Sequence, residues 1–276
     1  MLDDEKLKVV TANEVEAENN NQGRYLYCVA DSGAKVGLGQ IGIDGQAVYT
    51  IPYIDLCAVV HNCPFEPYKS NDNEVVKKWV LTHEKVVEIA WERFSAVLPA
   101  GFDTIVKGEE DTTSEENIKK WLNQEYVNLK EKMNRIRGKA EYGVQIFWDL
   151  NLMADEIART DQEIRSLNQN IKSKSKGMAY MLKQKLENLL RKKLEKKAHL
   201  FFEDFYVRIE TCADEIRVEK TKKIGEKRQM FMNLSCLVKE EKSKELGEEL
   251  ERINMQDGFA VHYTGPWPPY SFVAMG

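Results

Sequence analysis

The feature that most constrains the fold is a long helical region enclosed by two strands. Residues 151–220 have helical patterning, interrupted only near the stretch SKSKG at residues 173–177. The run EYGVQIFWD precedes this region and MFMNLSCLVK follows it, and both have the residue types of strands. A charged helix and the strand GFAVHYTG come next. The order strand, helices, strand, helix, strand predicts an α+β domain of ferredoxin-like type that carries a helical hairpin.

The first part of the chain predicts a smaller α+β domain. RYLYCVA and YIDLCAVV read as strands, and GFDTIV as a further one. Apolar residues repeat every three or four positions over residues 74–94, which predicts an amphipathic helix on one side of the sheet. The acidic stretch KGEEDTTSEE then suggests a linker. We therefore divide the chain into a flexible acidic arm (1–22), an N-terminal α+β domain (23–108) and a C-terminal α+β domain (109–276).

Several short motifs have more ordinary explanations than catalysis or cofactor binding. Gly37–Gly42 matches GxGxxG, but no helix is expected after it, as dinucleotide binding requires. Cys57, His61 and Cys63 lack the spacing of a zinc site, and His83 lies on the apolar face of its helix. We therefore predict no catalytic residue, no cofactor and no metal.

Positive charge is concentrated in one segment of an otherwise acidic chain. Residues 172–197 contain ten Lys or Arg against two Glu, a local charge of +8, whereas the whole chain carries −5. A solvated helix face is the simplest explanation. An acidic protein partner, inside or outside this chain, is the next, and Lys192, Lys193 and Lys196 are its candidate contacts.

The stretch TGPWPPYSF, Thr264–Phe272, contains three of the seven prolines. Each proline fixes its own φ and keeps the preceding residue out of the α region, so we expect an extended, stiff tail. Trp267, Tyr270 and Phe272 then project from a segment with little conformational entropy left to lose. Two interpretations stand equally: a strap that covers the domain, or a preorganised docking segment for another protein.

The tail, as YTGPWPPYSFV, resembles the C-terminal signature of the gas vesicle protein F/L family. GRYLYCVA, IDLCAVV, HEKVVEIA, VLPAGFDTIV and AEYGVQIFWD resemble further segments of that family, in the same order, so that the resemblance covers residues 23–273. One departure is that Gly101-Phe102-Asp103 stands where the family typically has Arg-Phe-Gly.

The resemblance implies a non-enzymatic accessory protein of gas vesicle assembly. Such a protein binds the small hydrophobic shell protein, other accessory proteins, or both, and helps to nucleate or organise the shell. It also implies two domains, each a modified ferredoxin-like sheet with helices. We expect the apolar docking surface on the N-terminal sheet domain, together with the aromatic tail.

Location and partners follow from the same reasoning. The beginning of the chain lacks a secretory pattern and no apolar run approaches roughly 18 residues, so we expect a cytoplasmic protein associated with the gas vesicle. Nucleic acid and membrane are not expected as partners. The alternatives left open are a scaffold or nucleic-acid-binding protein that uses the Lys-rich helix 172–197, and an enzyme that uses Cys63 or His83. The F-like and L-like branches are not distinguished.

Overall fold

A computed structural model of the chain describes residues 22–94, 96–109, 111–222 and 228–273. The predicted acidic arm falls almost entirely outside these residues. The contacts divide the chain into two compact units. The first comprises Met1–Gly138 and Trp267–Gly276, and the second comprises Lys139–Pro266.

The first unit is built on one antiparallel sheet. Its strands follow the order β2-β3-β4-β1-β5, and β6 also pairs with β1. The elements are β1 (Gln22–Ala30), β2 (Gly37–Gly39), β3 (Val48–Tyr53), β4 (Leu56–Pro64), α1 (Asn73–Phe94), β5 (Val97–Pro99), β6 (Ile105–Val106), α2 (Ser114–Gln124) and α3 (Tyr126–Ile136).

Helices cover both faces of this sheet, whereas the sequence predicted a helix on one face only. Tyr25 and Cys28 of β1 belong to the core that α1 completes. Leu26 and Val29, which alternate with them, are also buried, and α2 and α3 contact β1, β3, β5 and β6. A bulge at Tyr27 lets two consecutive residues of β1 face α1. The predicted boundary at 108/109 differs from the contact division at 138/139 because α2 and α3 pack on the first sheet.

The sequence also missed strand β3 and the hairpin that joins it to β4. Ile54 occupies this turn with a φ of 53° and keeps 67% of its surface exposed. A β-branched residue is strained in the left-handed region. The flanking residues are fixed on α2 and α3, since the Tyr53 hydroxyl donates to Asn123 at 2.5 Å and the Tyr126 hydroxyl donates to Asp55 at 2.7 Å.

Replacing this strained residue is expected to stabilise the first unit. Ile54→Gly should raise the free energy of unfolding by about 0.5–1 kcal/mol, because relief of left-handed strain exceeds the added entropy of the unfolded glycine. Urea unfolding checks this. Ile54→Val is the matched control and should give no gain, since valine keeps the β-branch; equal stability of the Gly and Val variants would contradict the assignment of strain.

The second unit has a four-stranded sheet in the order β10-β7-β9-β8. Strand β9 pairs antiparallel with β7 on one side and with β8 on the other. Its elements are β7 (Lys139–Asp149), α4 (Leu150–Thr160), α5 (Gln162–Lys172), α6 (Lys176–Cys212), β8 (Glu215–Val218), β9 (Arg228–Lys239), α7 (Ser243–Asn254) and β10 (Phe259–Trp267). A strand, helices, two strands, a helix and a strand follow one another in this unit, an order βαββαβ. The sequence predicted strand, helices, strand, helix and strand, so it lacked β8. In the first unit, four strands precede the first described helix, so that order is not found there.

The helical region of the second unit ends earlier than predicted. The break at 173–177 is confirmed, because α5 ends at Lys172 and α6 begins at Lys176. The region predicted to be helical to residue 220 instead ends at Cys212, and β8 follows. Only the C-terminal half of α6 contributes fully buried residues, namely Phe205, Ile209 and Cys212. The N-terminal half packs against α4 and α5.

Candidate functional site

Two tyrosine–histidine pairs lie buried between the first sheet and α1. Tyr27 accepts the N–H of Ile43 at 2.9 Å and its hydroxyl lies 2.8 Å from Nδ1 of His61. Tyr25 accepts the N–H of Asp103 at 3.1 Å and its hydroxyl lies 2.9 Å from Nδ1 of His83. Since each hydroxyl oxygen already accepts a backbone N–H, its own hydrogen is directed to the imidazole.

The other ring nitrogen of each histidine is also satisfied. Nε2 of His83 donates to the carbonyl of Ala100 at 3.2 Å, and Nε2 of His61 donates to the Tyr68 hydroxyl at 3.0 Å. Both imidazoles are therefore neutral, and burial lowers the pKa of each to about 4. This agrees with the interpretation of His83 as a packed histidine, and it leaves neither ring with a free nitrogen for a substrate.

The cysteines of this region are equally unsuited to nucleophilic or metal chemistry. Burial raises the pKa of Cys57 to about 12 and that of Cys63 to about 11, so both stay protonated thiols. Among the described residues, no group of three or more His, Cys, Asp or Glu is placed to hold a metal ion. All five cysteines are free and buried.

The GxGxxG stretch has no helix in the position that a dinucleotide would require. Gly37–Gly39 forms the edge strand β2, paired with β3. A single 3₁₀ turn at Ile43–Gly45 follows, with Asp44 accepting the indole N–H of Trp79 at 3.1 Å. The motif therefore belongs to a turn that contacts α1, without the helix N-terminus that holds a pyrophosphate.

The left-handed turn after β5 contains Asp103, which lies in the segment Gly101-Phe102-Asp103 where the sequence departs from the resemblance. Asp103 has a φ of 68°, a conformation that favours glycine but that aspartate tolerates. Its Oδ1 accepts the N–H of Tyr68 at 2.9 Å while its own N–H donates to Tyr25. Asp103 thus adds a side-chain contact to the tyrosine–histidine cluster.

From Trp267 onward the C-terminal tail belongs to the first unit, and its three aromatic residues differ in exposure. It is extended only as far as Trp267 and then forms a 3₁₀ turn at Tyr270–Phe272, whereas an extended tail was predicted. Phe272 and Val273 are each 2% exposed, so they act as anchors. Trp267 is 47% exposed and Tyr270 37% exposed. Phe272 therefore offers no surface to a partner, while Trp267 and Tyr270 do.

The glycine of the tail is required by close backbone packing. Gly265 has a φ of 118°, and a Cβ there would lie 2.8 Å from the carbonyl oxygen of Glu141. Any side chain at this position would push β10 away from β7. The peptide bond from Gly265 to Pro266 is cis.

The three candidate lysines of α6 have different environments. Lys193 pairs with Asp161 at 2.9 Å and approaches Glu163 at 3.7 Å, and its ammonium lowers the pKa of Asp161. The sequence suggested an acidic partner inside or outside this chain. For Lys193, two carboxylates at the start of α5, those of Asp161 and Glu163, lie inside the chain. Lys192 and Lys196 are exposed, and neither forms an ion pair with any residue that the structure describes.

The sequence did not identify the exposed apolar residues on the same helix. Met178 and Met181 repeat at helical spacing with the leucines of α6, a pattern typical of one apolar face, but they are 52% and 67% exposed. Leu200, further along the same helix, is 57% exposed. Periodicity identifies the apolar face but could not show that its leucines are half-buried while Met178 and Met181 remain exposed.

No described helix is long and apolar enough to cross a membrane.

The sequence profile of the family described as "Gas vesicle synthesis protein GvpL/GvpF" matches residues 23–274. The chain is 30% identical to gas vesicle protein L1 of Halobacterium salinarum, over 95% of this chain and 93% of that protein. It is 24% identical to gas vesicle protein F of Dolichospermum flosaquae, over 91% of this chain and 97% of that protein.

The fold is similar to that of a solved gas vesicle protein. The crystal structure of GvpF from Anabaena sp. matches with a TM-score of 0.74 at 22% identity, covering 92% of this chain and 99% of that one. The mixed helix and sheet architecture predicted from the sequence is thus confirmed. Because the family profile matches nearly the whole chain, the protein belongs to the GvpL/GvpF family of gas vesicle synthesis proteins.

Proposed function

We propose that this chain is a gas vesicle accessory protein that binds the small hydrophobic shell protein, and that it acts as a chaperone-like component in nucleating or organising the shell. Family membership over residues 23–274 is the observation that carries the proposal. The described residues also support it. His61 and His83 are buried with both ring nitrogens hydrogen-bonded, and Cys57 and Cys63 are protonated thiols, so none of the four is suited to catalysis. The proposal includes a cytoplasmic location in association with the gas vesicle.

The surface we assign to the shell protein is the exposed part of the tail in the first unit. Trp267 and Tyr270 stand on a segment anchored by the buried Phe272, so they lose little entropy on binding. Burial raises the pKa of the Tyr270 hydroxyl, and Cys28 and Glu84 raise it further. Leu81 on α1, in the same unit, is also exposed, at 54%.

A co-purification experiment tests this function. The full chain is co-expressed with the shell protein of its own gas vesicles and recovered through an affinity tag. The wild-type chain is expected to retain the shell protein, and the double variant Trp267→Ser, Tyr270→Ser is expected to lose most of it, about tenfold, because exposed aromatic anchors dominate such contacts.

A matched control separates the tail from general loss of exposed apolar surface. Val127 on α3 is 69% exposed in the same unit, and Val127→Ser should leave retention unchanged. Loss of retention in both variants would contradict the assignment to the tail. No retention by the folded wild-type chain would refute shell-protein binding itself.

A further inference from the structure

We propose that an acidic amphipathic helix of a protein partner binds along the groove that α6 forms with α5 and with the end of α4. This surface lies in the second unit and is independent of the shell-protein contact proposed for the tail. It uses residues that neither the core nor the tail explains.

An open groove follows α6 over several turns. Its first part encloses about 570 Å³ and is lined by Lys185 of α6 and by Ser166 and Leu167 of α5. A second part of about 320 Å³ lies between α6 and the end of α4, which contributes Ile157 and Thr160, and extends to Leu200. The two parts share Asp161 and Lys193, so they adjoin. From residue 185 to residue 200 α6 rises about 22 Å, which matches about four turns of a bound helix.

Positive charge along this groove is only partly neutralised by the chain itself. Lys193 is engaged by Asp161, and Lys197 is engaged by Glu156 at 2.5 Å. Lys185 and Lys196 line the groove, and Lys192 lies between them on α6 but outside the lining. All three are exposed and form no ion pair within the described part of the chain. Because α5 and α4 supply too few carboxylates, a row of free ammonium groups remains for an acidic ligand.

Apolar side chains stand on the same flank as these lysines. Met178 and Met181 precede Lys185 by seven and four residues, and this spacing aligns them at 3.6 residues per turn. Both methionines are more than half exposed, as is Leu200 at the other end of the groove. Methionine adapts to varied apolar partners. A ligand with carboxylates on one side and apolar residues on the other would satisfy both parts of the surface, which an amphipathic helix does.

The same features argue against two other occupants. A second copy of this hairpin would place the +8 segment against itself, so like charges would repel. Single-stranded nucleic acid would need aromatic platforms between the lysines, and Tyr180 is the one aromatic residue between Lys172 and Lys197.

Fluorescence anisotropy with a defined probe tests the proposal. The probe is a labelled 18-residue peptide with glutamates on one helical face and leucines on the other, titrated with the full chain at 0.15 M salt. The triple variant Lys185→Glu, Lys192→Glu, Lys196→Glu is expected to weaken binding at least about 30-fold. Met178→Ser with Met181→Ser should weaken it about tenfold and leave the salt dependence unchanged.

Matched controls make the result decisive. Lys69→Glu, Lys77→Glu, Lys78→Glu changes the net charge equally on exposed lysines of the first unit and should leave binding unaltered. Circular dichroism verifies that each variant is folded. Equal affinity of the triple variant and the wild type, equal affinity for a scrambled peptide of the same composition, or equally tight binding of a 20-base-pair DNA duplex would each overturn the proposal. Shell-protein retention is expected to persist in the triple variant, so failure of either idea is distinguishable from failure of the other.

Discussion

Between pH 7.5 and pH 5 the first unit is expected to lose about 3 kcal/mol of its free energy of unfolding, because His61 and His83 are buried as neutral imidazoles. Burial lowers the pKa of both to about 4 from an ordinary value of 6.5. Protonation inside the fold would also oppose the Tyr27 and Tyr25 hydroxyls, whose hydrogens point at the Nδ1 atoms.

The direction of the effect follows from proton linkage. The unfolded chain protonates these histidines as the pH falls through 6.5, while the folded state resists until about pH 4, so the unfolded state binds more protons between these values. Stability is therefore fully present above about pH 6.5 and decreases towards pH 4. Two independent shifts of this size amount to about 4 kcal/mol at pH 5, and partial solvent screening reduces this to about 3 kcal/mol.

Other groups contribute little in this pH range. The charge of Asp44 raises the pKa of His61 and opposes the effect of burial only in part. The bonded carboxylates, such as Asp214 and Glu249, have pKa values lowered from 3.8 and 4.5, so their contribution is lost at lower pH. The interval from pH 7.5 to pH 5 thus isolates the two histidines.

Urea unfolding at a series of pH values, followed by tryptophan fluorescence, provides the measurement. The double variant His61→Gln, His83→Gln is expected to be less stable at pH 7.5 but to show an almost flat pH dependence down to pH 5. His199→Gln, at a 72% exposed side chain, is the matched control and should keep the wild-type slope. A steep slope that persists in the double variant would assign the acid sensitivity to other groups.

Phe272→Ala is expected to destabilise the first unit by about 3–4 kcal/mol. Phe272 is 2% exposed, and truncation of a buried phenylalanine loses its transfer free energy and leaves a cavity. The 3₁₀ turn that contains it, where the N–H of Phe272 donates to the carbonyl of Pro269 at 3.1 Å, would lose its anchor. The tail would then also hold Trp267 and Tyr270 less firmly.

Trp267→Ala separates the two roles of the tail. Trp267 is 47% exposed, so its truncation should change the free energy of unfolding by less than about 1 kcal/mol while reducing retention of the shell protein. Thermal unfolding of the two variants, alongside the co-purification experiment, makes the comparison. Equal stability losses in both variants would mean that the whole tail is a structural strap.

Local patterns in the sequence were enough to predict most elements of the fold. The 3.6-residue period identified α1, the alternating and aromatic runs identified β1, β7 and β9, and SKSKG located the break before α6. Strand β3 was missed because its turn contains Ile54 and Asp55 rather than the glycine or asparagine that marks a tight hairpin. Strand β8 was missed because four residues carry too little pattern to interrupt a helical prediction.

The candidate sites were predictable only in part. Proline positions alone identified the stiff tail. They could not show that Phe272 is buried whereas Trp267 is exposed. The charge of α6 was evident from composition, yet the pairing of Lys193 with Asp161 depends on how α5 folds back along α6. His83 was recognisable as a packed residue, while its link to Tyr25 joins residues 58 positions apart.

The sequence by itself thus determined the α+β class, the order of most elements, the hairpin break and the membership suggested by the tail, since these depend on interactions between near neighbours in the chain. Tertiary structure alone decided that α2 and α3 cover the first sheet, that the tail is counted with the first unit, and which lysines and methionines remain uncovered. Those outcomes depend on burial, and burial is settled by the packing of segments distant in sequence.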